Sequence, residues 1–269
     1  MLNQTGDTAT LLEVALASDV GRLRQNNEDA VAENRALGLI LLADGMGGYN
    51  AGEIASSMAI SEILNALQTA PSAPPLSTAQ RLEQAILGAH DKIYALSQTD
   101  PACAGMGTTL VAAVFEGEQV CVAHVGDSRL YRLRDGELSC LTRDHSLLEE
   151  MIARGQLSRD DAHEFVKKNV VTRALGVEAG TEVEINEWST AVGDIYLACS
   201  DGLNDMISDE AIARRLQQGR QGLMQDLAQA LINDALAAGG RDNVSVVLAR
   251  INDGITAKGS WFRRLFDWI

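Results

Sequence analysis

The first candidate functional residue is Asp44. It ends the aliphatic run of LLADGMGG (residues 41–48) and is followed by three glycines within four positions. Asp-Gly is a common hairpin signal, but a second alternating strand should then follow at once. Instead, apolar residues recur at helical spacing, at Ile54, Met58, Ile63 and Leu67. Asp44 is therefore predicted to lie where a buried strand ends and a glycine-rich loop enters a helix. Such a place suits binding as well as turning.

Four further aspartates stand at the ends of predicted buried strands. They are Asp29 in RQNNEDA, Asp127 in VGDSR, Asp201 in CSDGL and Asp242 in GRDNV. One aspartate of this kind is usually a turn or cap former. Five together are different, because the strand ends of one sheet lie close together. Two carboxylates about 4 Å apart repel by roughly 4 kcal/mol at an effective dielectric constant near 20. Such a group requires protonation or bound cations.

The type of these ligands indicates the type of cation. Oxygen ligands without His or Cys at ligand spacing select a hard cation, so Mg²⁺ or Mn²⁺ is expected rather than zinc. The neighbouring glycines let a main-chain carbonyl join the ligands. No segment matches the EF-hand calcium loop. Four or more carboxylates favour a two-metal site, which can activate a water for displacement at phosphorus.

A basic residue stands near this acidic group. Arg24 lies five residues before Asp29, and its forked guanidinium suits a phosphoryl group. An ordinary surface ion pair is the alternative interpretation, and the residues alone favour it.

The elements that must position these residues are short apolar strands and a few amphipathic helices. Strands are predicted at residues 11–18, 37–43, 108–115, 119–125, 194–200 and 244–251. Helices are predicted at residues 51–68, 78–98, 208–217 and 222–238. Ser77 and Gln80 form a capping-box pattern for the second helix, and Asp135-Gly136 predicts a plain hairpin turn. Hairpin-joined strands with helices in blocks predict an α+β layered domain.

Composition narrows the functional classes. The 269 residues are 46% hydrophobic, as in ordinary globular proteins, and carry a net charge of −15, which disfavours nucleic-acid binding. No apolar run reaches the roughly 18 residues of a membrane span. MLNQTGDTAT lacks the features of a secretory signal, so a cytoplasmic protein is expected. Cysteines at 103, 121, 140 and 199 have no CxxC spacing and are expected to be buried, reduced thiols.

Eight motifs occur in an order that resembles one known family. They are SDVGRLRQNNED, LADGMGGYNAGEIAS, GMGTTL, HVGDSRLYRLRDGEL, TRDHS, VTRALG, CSDGL and GGRDNVSVV. Together they are similar to the motif series of bacterial type 2C metal-dependent Ser/Thr protein phosphatases, the PPM family. The resemblance runs from about residue 11 to residue 251. It implies a phosphatase domain at 1–254 with a four-layer αββα sandwich, in which helices flank two antiparallel sheets and metal ions sit at one end.

The resemblance also implies metal-binding roles. Asp44 would bridge two ions, Mn²⁺ or Mg²⁺, and the Gly45 carbonyl would ligate the first. Asp201 and Asp242 would hold the second ion. Asp29 would act at or just outside the first ion.

Further roles follow from the same resemblance. Glu28 and Asn243 would contact metal-bound water, and Asp127 would help to bind a third, weaker ion together with Asp201. Arg24 would hold the substrate phosphate. A metal-bridged hydroxide would attack phosphorus without a covalent intermediate.

Two features depart from the family pattern or vary within it. Many eukaryotic members carry His directly after the bridging Asp-Gly, where this chain has Met46, so the general acid is not identified. His145 opens the flap, about residues 145–170, and a catalytic role for it is a weaker alternative to a structural one. His124 alternates inside an apolar strand and is expected to be a core histidine. The flap sequence does not predict substrate choice.

The C-terminal segment, residues 255–269, lies beyond the family pattern. GSWFRRLFDWI (259–269) predicts an amphipathic aromatic helix capped by Ser260. Packing on the protein's own surface, docking to a partner protein and peripheral membrane contact all remain open interpretations.

The sequence thus predicts a cytosolic phosphatase of phosphoserine and phosphothreonine in proteins, which by resemblance would oppose a Ser/Thr kinase. One alternative is a non-catalytic regulatory or scaffold protein with the same fold. Loss of a metal-binding aspartate would mark it, and none of the expected aspartates is missing. The other alternative is a phosphatase of another phosphoester.

Overall fold

The computed structural model describes residues 12–48, 51–69, 76–158 and 170–252. The predicted C-terminal helix at 259–269, the proposed domain boundary at 254 and residues 159–169 of the predicted flap lie outside these ranges. No helix within them is long and apolar enough to cross a membrane.

The described residues form antiparallel strands and six helices. The strands are β1 (Leu12–Asp19), β2 (Asp29–Asn34), β3 (Leu39–Met46), β4 (Gly107–Thr108), β5 (Leu110–Glu116), β6 (Gln119–Val125), β7 (Arg129–Arg134), β8 (Glu137–Cys140), β9 (Glu184–Ser189), β10 (Ile195–Cys199) and β11 (Val244–Ile251). The helices are α1 (Ala51–Gln68), α2 (Thr78–Thr99), α3 (Leu147–Ala153), α4 (Asp201–Asn204), α5 (Asp209–Gly219) and α6 (Met224–Ala237).

The strands make two antiparallel sheets. One has the order β2-β3-β5-β6-β9, with the short β4 paired to β3, and the other has the order β1-β11-β10-β7-β8. Alternate residues of β3 show how the layers stack: Leu39 and Leu41 pack with α1 and α2, whereas Ile40 and Leu42 face the second sheet. Helices α5 and α6 cover the other face of the second sheet. The predicted αββα sandwich is confirmed.

Most element boundaries agree with the sequence pattern. β6, β11 and α1 lie at the predicted residues, and α2 begins with the predicted Ser77–Gln80 capping box. Asp135 and Gly136 both have positive φ, at 51° and 87°, which is the conformation of the two-residue hairpin turn predicted there.

Two expectations were wrong in detail. The apolar stripe predicted for α1 included Ile54, which is 40% exposed; the buried face consists mainly of small residues such as Ala55 and Ala59, because the helix packs closely on β3. Cys140 lies exposed on the edge strand β8, whereas the other three cysteines are buried. All four are free thiols.

Candidate metal centre

Asp29 and Asp44 meet across two neighbouring strands. The register of β2 and β3 places them directly opposite each other, so their side chains lie on the same face. Asp44 stands near the end of β3, where the Asp44 carbonyl accepts hydrogen bonds from the Thr109 N–H at 2.8 Å and the Thr108 hydroxyl at 2.9 Å. The pairing of these strands therefore builds one half of the acidic site.

Asp201 and Asp242 come from the second sheet. Asp201 begins α4 directly after β10, and Asp242 precedes β11 by two residues. Ser200, which joins β10 to α4, donates a hydrogen bond to Asp29 Oδ2 at 2.8 Å and accepts one from Ser245 N at 3.0 Å. This serine links the acidic groups of the two sheets.

The five predicted aspartates lie near enough to affect one another's ionisation. Burial is the largest cause of a raised pKa for Asp44, and the charges of the other four aspartates add to it. Burial also raises the pKa of Asp29 and of Asp127 to about 6, and that of Asp201 well above its usual value. The tertiary structure thus brings together the carboxylates that the sequence singled out.

Within the part of the chain that the structure describes, two carboxylate oxygens of this site have no hydrogen-bond partner. Glu28 Oε1 and Asp29 Oδ1 are buried and accept no hydrogen bond. A buried carboxylate oxygen without a donor is costly, and a cation relieves that cost. With oxygen donors throughout, the residues fit Mg²⁺ or Mn²⁺.

Position 45 requires glycine because two backbone carbonyl groups approach it closely. A Cβ at this position would lie 2.1 Å from the Gly52 carbonyl oxygen and 2.6 Å from that of Glu28. The Gly45 N–H also donates to the Glu28 carbonyl at 3.1 Å. The end of β3, the start of α1 and the Glu28 loop therefore meet around a residue without a side chain.

Arg24 lies at the edge of the acidic site. Its Nη2 donates to Asp242 Oδ2 at 2.7 Å, and its Nη1 lies 3.9 Å from Glu28 Oε2. The side chain is 48% exposed. The structure thus shows the ion pair that was the alternative interpretation of this residue, formed with a predicted metal ligand.

Asn243 holds the loop that carries Glu28. Its Oδ1 accepts from the Glu28 N–H at 2.9 Å, and its Nδ2 donates to the carbonyls of Val20 and Asn26, both at 2.9 Å. Both amide hydrogens are therefore used in backbone bonds. The expected contacts of Glu28 and Asn243 with metal-bound water stay predictions.

Asp127 follows β6 through Gly126. Asp127 and Asp201 line a shared cavity of about 200 Å³ together with Asp205. Gly126 has a φ of 106°, and a Cβ there would lie 2.7 Å from Thr109 Cβ. The turn before Asp127 is thus packed tightly against Thr109, the residue directly before β5.

Several supporting hydroxyl groups were missed by sequence reasoning. Thr109 Oγ1 accepts from the Asp44 N–H at 3.0 Å and is hydrogen-bonded to Ser128 Oγ at 2.7 Å, which connects the Asp44 and Asp127 segments. The signals were the GMGTTL motif for Thr109 and the VGDSR motif for Ser128, since threonine in a predicted strand is otherwise explained by β propensity.

A second group of metal-ligating side chain types lies beside the acidic site. His124, His145 and Glu184 offer ligand atoms within 4.8 Å of one another. His124 is 1% exposed and its Nε2 donates to the Arg143 carbonyl at 2.8 Å, as expected for a core histidine. Met46 ends β3, so the structure adds no general acid at that position.

Comparison with known proteins shows which family this chain is similar to. Residues 22–238 match the family described as protein phosphatase 2C. The chain is 39% identical over 245 residues to the serine/threonine protein phosphatase PstP of Mycobacterium tuberculosis, covering 90% of this chain and 46% of PstP. It is 37% identical over 249 residues to the serine/threonine phosphatase stp of Listeria monocytogenes, covering 90% of this chain and 96% of stp.

Solved structures of related phosphatases have the same fold as this chain. The catalytic domain of PstP in complex with two manganese ions has a TM-score of 0.80 and 37% identity, covering 90% of this chain and 99% of that one. The chain spans about half the length of PstP but almost all of the Listeria stp protein. The chain therefore belongs to the protein phosphatase 2C family.

Proposed function

We propose that this chain is a Mn²⁺- or Mg²⁺-dependent phosphatase that hydrolyses phosphoserine and phosphothreonine in proteins. The observation that carries the proposal is the convergence of five aspartates from two sheets, in which the charges of the other four raise the pKa of Asp44. Its relatives named as serine/threonine phosphatases, and the PstP domain that holds two manganese ions, support the same activity.

We assign the metal ligands as the sequence implied. Asp44 would bridge two ions with the Gly45 carbonyl on the first, and Asp201 and Asp242 would hold the second. When bound, the ions supply an activated water as nucleophile and polarise the phosphoryl oxygens. Asp29 accepts a hydrogen bond from Ser200 through Oδ2, and its Oδ1 would be available to hold the first ion or its water.

Other residues of the site have roles around these ligands. Glu28 and Asn243 would support the water of the first ion, with Asn243 fixing the Glu28 backbone. Asp127 would share a weaker third ion with Asp201. We place the catalytic domain at residues 1–254.

Arg24 is proposed to bind the substrate phosphate. In the structure its guanidinium is paired with Asp242. With Asp242 holding a metal ion, its carboxylate would attract the Arg24 guanidinium less strongly. The partly exposed guanidinium would then be available for two parallel hydrogen bonds to a phosphoryl group. The same arginine would thus serve both as a partner of Asp242 and as a ligand of the substrate phosphate.

The substrates are proposed to be phosphoproteins made by a Ser/Thr kinase, because the reaction consumes the product of such an enzyme. We place the reaction in the cytoplasm. The four free thiols fit a reducing compartment.

The first test is phosphate release from a phosphothreonine peptide. The protein is stripped of metal and assayed before and after addition of Mn²⁺ or Mg²⁺. Turnover should require metal and fall by at least about 100-fold in Asp201→Asn, since a missing ligand misplaces the ion. Asp135→Asn is the matched control: it makes the same chemical change at a hairpin turn that also tolerates Asn, and it should keep full activity.

The assay also separates the alternatives. A folded protein without metal-dependent turnover on any phosphoester would identify a non-catalytic member of the family. Rapid hydrolysis of a small phosphoester with poor hydrolysis of phosphopeptides would identify a phosphatase of another substrate class.

A further inference from the structure

His145 bonds twice to the residue before Asp127. The Gly126 N–H donates to His145 Nδ1 at 3.0 Å, and the His145 N–H donates to the Gly126 carbonyl at 2.9 Å. The side chain is buried. Both backbone groups of Gly126 are thus held by a single residue.

The imidazole is suited to act as an acceptor. Because the Gly126 N–H needs a lone pair on Nδ1, the ring proton is on Nε2, which lies 3.5 Å from Glu184 Oε2. Burial, His124 and Arg173 lower the pKa of His145 to about 4, so the ring stays neutral at physiological pH. Arg173 Nη1 lies 3.4 Å from Nε2, so a positive charge already stands beside the ring and disfavours its protonation.

The turn at Gly126 is held from two sides. Thr109 packs against Gly126 at a distance that leaves no room for a Cβ, and it also contacts the Asp44 N–H and Ser128. His145 holds the backbone of the same glycine through its two hydrogen bonds. Arg129 adds a further connection, because its guanidinium pairs with Asp144 at 2.7–3.2 Å.

His145 also lies at the base of the predicted flap. The His145 carbonyl accepts from the Thr172 N–H at 2.8 Å, and the Leu147 N–H donates to the Val170 carbonyl at 2.9 Å. Ser146 and Val171 form a β-bridge between the same two segments. The two ends of the flap are therefore paired at the residue that holds Gly126.

We propose that His145 is a positioning residue that couples the base of the flap to the Gly126–Asp127 turn and so sets the affinity of the site for divalent metal. The proposal rests on the proposed function, since it concerns the metal ligand Asp127. It assigns His145 a structural link to the metal site and no contact with the reacting phosphate.

The test uses two variants of the full chain that differ only in where their acceptor lies. Asn carries its carbonyl oxygen on Cγ, as His carries Nδ1, whereas Gln carries its oxygen one bond farther out. His145→Asn should therefore retain the bond from Gly126 and bind Mn²⁺ about as the wild type does. His145→Gln should bind Mn²⁺ about 10-fold more weakly in a calorimetric titration.

Amide hydrogen exchange provides a second readout that needs neither metal nor turnover. In His145→Gln, exchange should rise both in residues 126–129 and in residues 170–173, because the histidine joins these segments. His145→Asn should leave both near the wild-type rate. The Mn²⁺ dependence of phosphopeptide hydrolysis should follow the calorimetric order.

His90 provides a matched control. It is a buried histidine of α2 whose Nδ1 also accepts from a glycine N–H, that of Gly176 at 3.2 Å. His90→Asn and His90→Gln should differ from each other in stability but not in Mn²⁺ affinity.

Three results would contradict the proposal that His145 couples the flap base to the Gly126–Asp127 turn. Equal Mn²⁺ affinity in His145→Asn and His145→Gln, a matching difference in the His90 pair, or exchange that rises in only one of the two segments would each do so. A wild-type protein without turnover would instead reject the proposed function, and the exchange experiment would still decide the coupling.

Discussion

At the scale of single residues, the site depends on carboxylates that are held where water solvates them poorly. Asp29 and Asp44 face each other across a strand pair, and Ser200 and Thr109 fix them in place. Ser200 donates to only one oxygen of the Asp29 carboxylate, and Thr109 accepts from the Asp44 backbone N–H rather than donating to the Asp44 carboxylate. The charged forms of these buried carboxylates are therefore stabilised incompletely. Protonation and cation binding are the two ways to relieve this cost.

A pH dependence of the metal-free protein follows. The pKa of Asp29 and of Asp127 is about 6 in the fold, against a reference value of 3.8, so the folded state binds more protons than the unfolded state between these values. Stability in EDTA should therefore fall as pH rises from about 4 through 6. Thermal unfolding across this range measures it. Asp29→Asn should flatten the slope and Asp135→Asn should not; a rising slope in the wild type would contradict the electrostatic account.

At the scale of elements, the second half of the site depends on how closely α4 lies to the start of β11. A Cβ on Gly202 would lie 1.9 Å from the Asn243 carbonyl oxygen, so the glycine lets the two segments touch. This contact sets the separation of Asp201 from Asp242, which stand beside Gly202 and Asn243. The geometry of the second metal position is therefore decided by packing between elements.

Gly202→Ala should damage both stability and activity. The added methyl group pushes α4 from β11, at a cost of about 1–3 kcal/mol in the free energy of unfolding. The displaced Asp201 should lower metal-dependent turnover by about 100-fold. Denaturant unfolding and the phosphopeptide assay measure the two effects.

Gly88→Ala makes the same substitution in α2, where a Cβ meets no atom within 4 Å. It should leave turnover unchanged and stabilise the helix by up to about 1 kcal/mol. If both glycine variants retained full turnover, close packing of α4 on β11 would not position Asp201.

At the scale of the whole molecule, the metal centre would join the two sheets at one end of the sandwich. Asp29 and Asp44 belong to the sheet covered by α1 and α2, and Asp201 and Asp242 to the segments of the other sheet. Ions bound between them would connect layers that otherwise meet through apolar packing. Metal binding should therefore raise the free energy of unfolding of the whole sandwich.

Mn²⁺ should raise the denaturation midpoint of the full chain. A ligand at about 100 times its dissociation constant stabilises the folded state by about 2.7 kcal/mol. Urea unfolding with and without Mn²⁺ measures this shift, which should shrink in Asp201→Asn and persist in Asp135→Asn. An identical shift in all three proteins would mean that Mn²⁺ binds elsewhere.

Much of the fold could be predicted because burial on both faces of a central strand leaves a continuous apolar run. This signal located β6 and β11 at their observed residues. It missed β9, whose segment EINEWS is polar and lies at a sheet edge. In α1 it located the buried Ile63 and Leu67 but also counted the exposed Ile54 and overlooked the buried alanines, because alanines that permit close packing carry little hydrophobic signal.

The candidate site divides in the same way. The sequence was enough to predict which carboxylates are available and that each stands near one end of a strand, since both features are local. No local pattern predicts that Arg24 pairs with Asp242, 218 residues away, or that Asn243 and His145 hold the loops that carry Glu28 and Asp127. The physical reason is that these bonds join segments of two sheets and the flap base, whose relative placement depends on the packing of the whole sandwich.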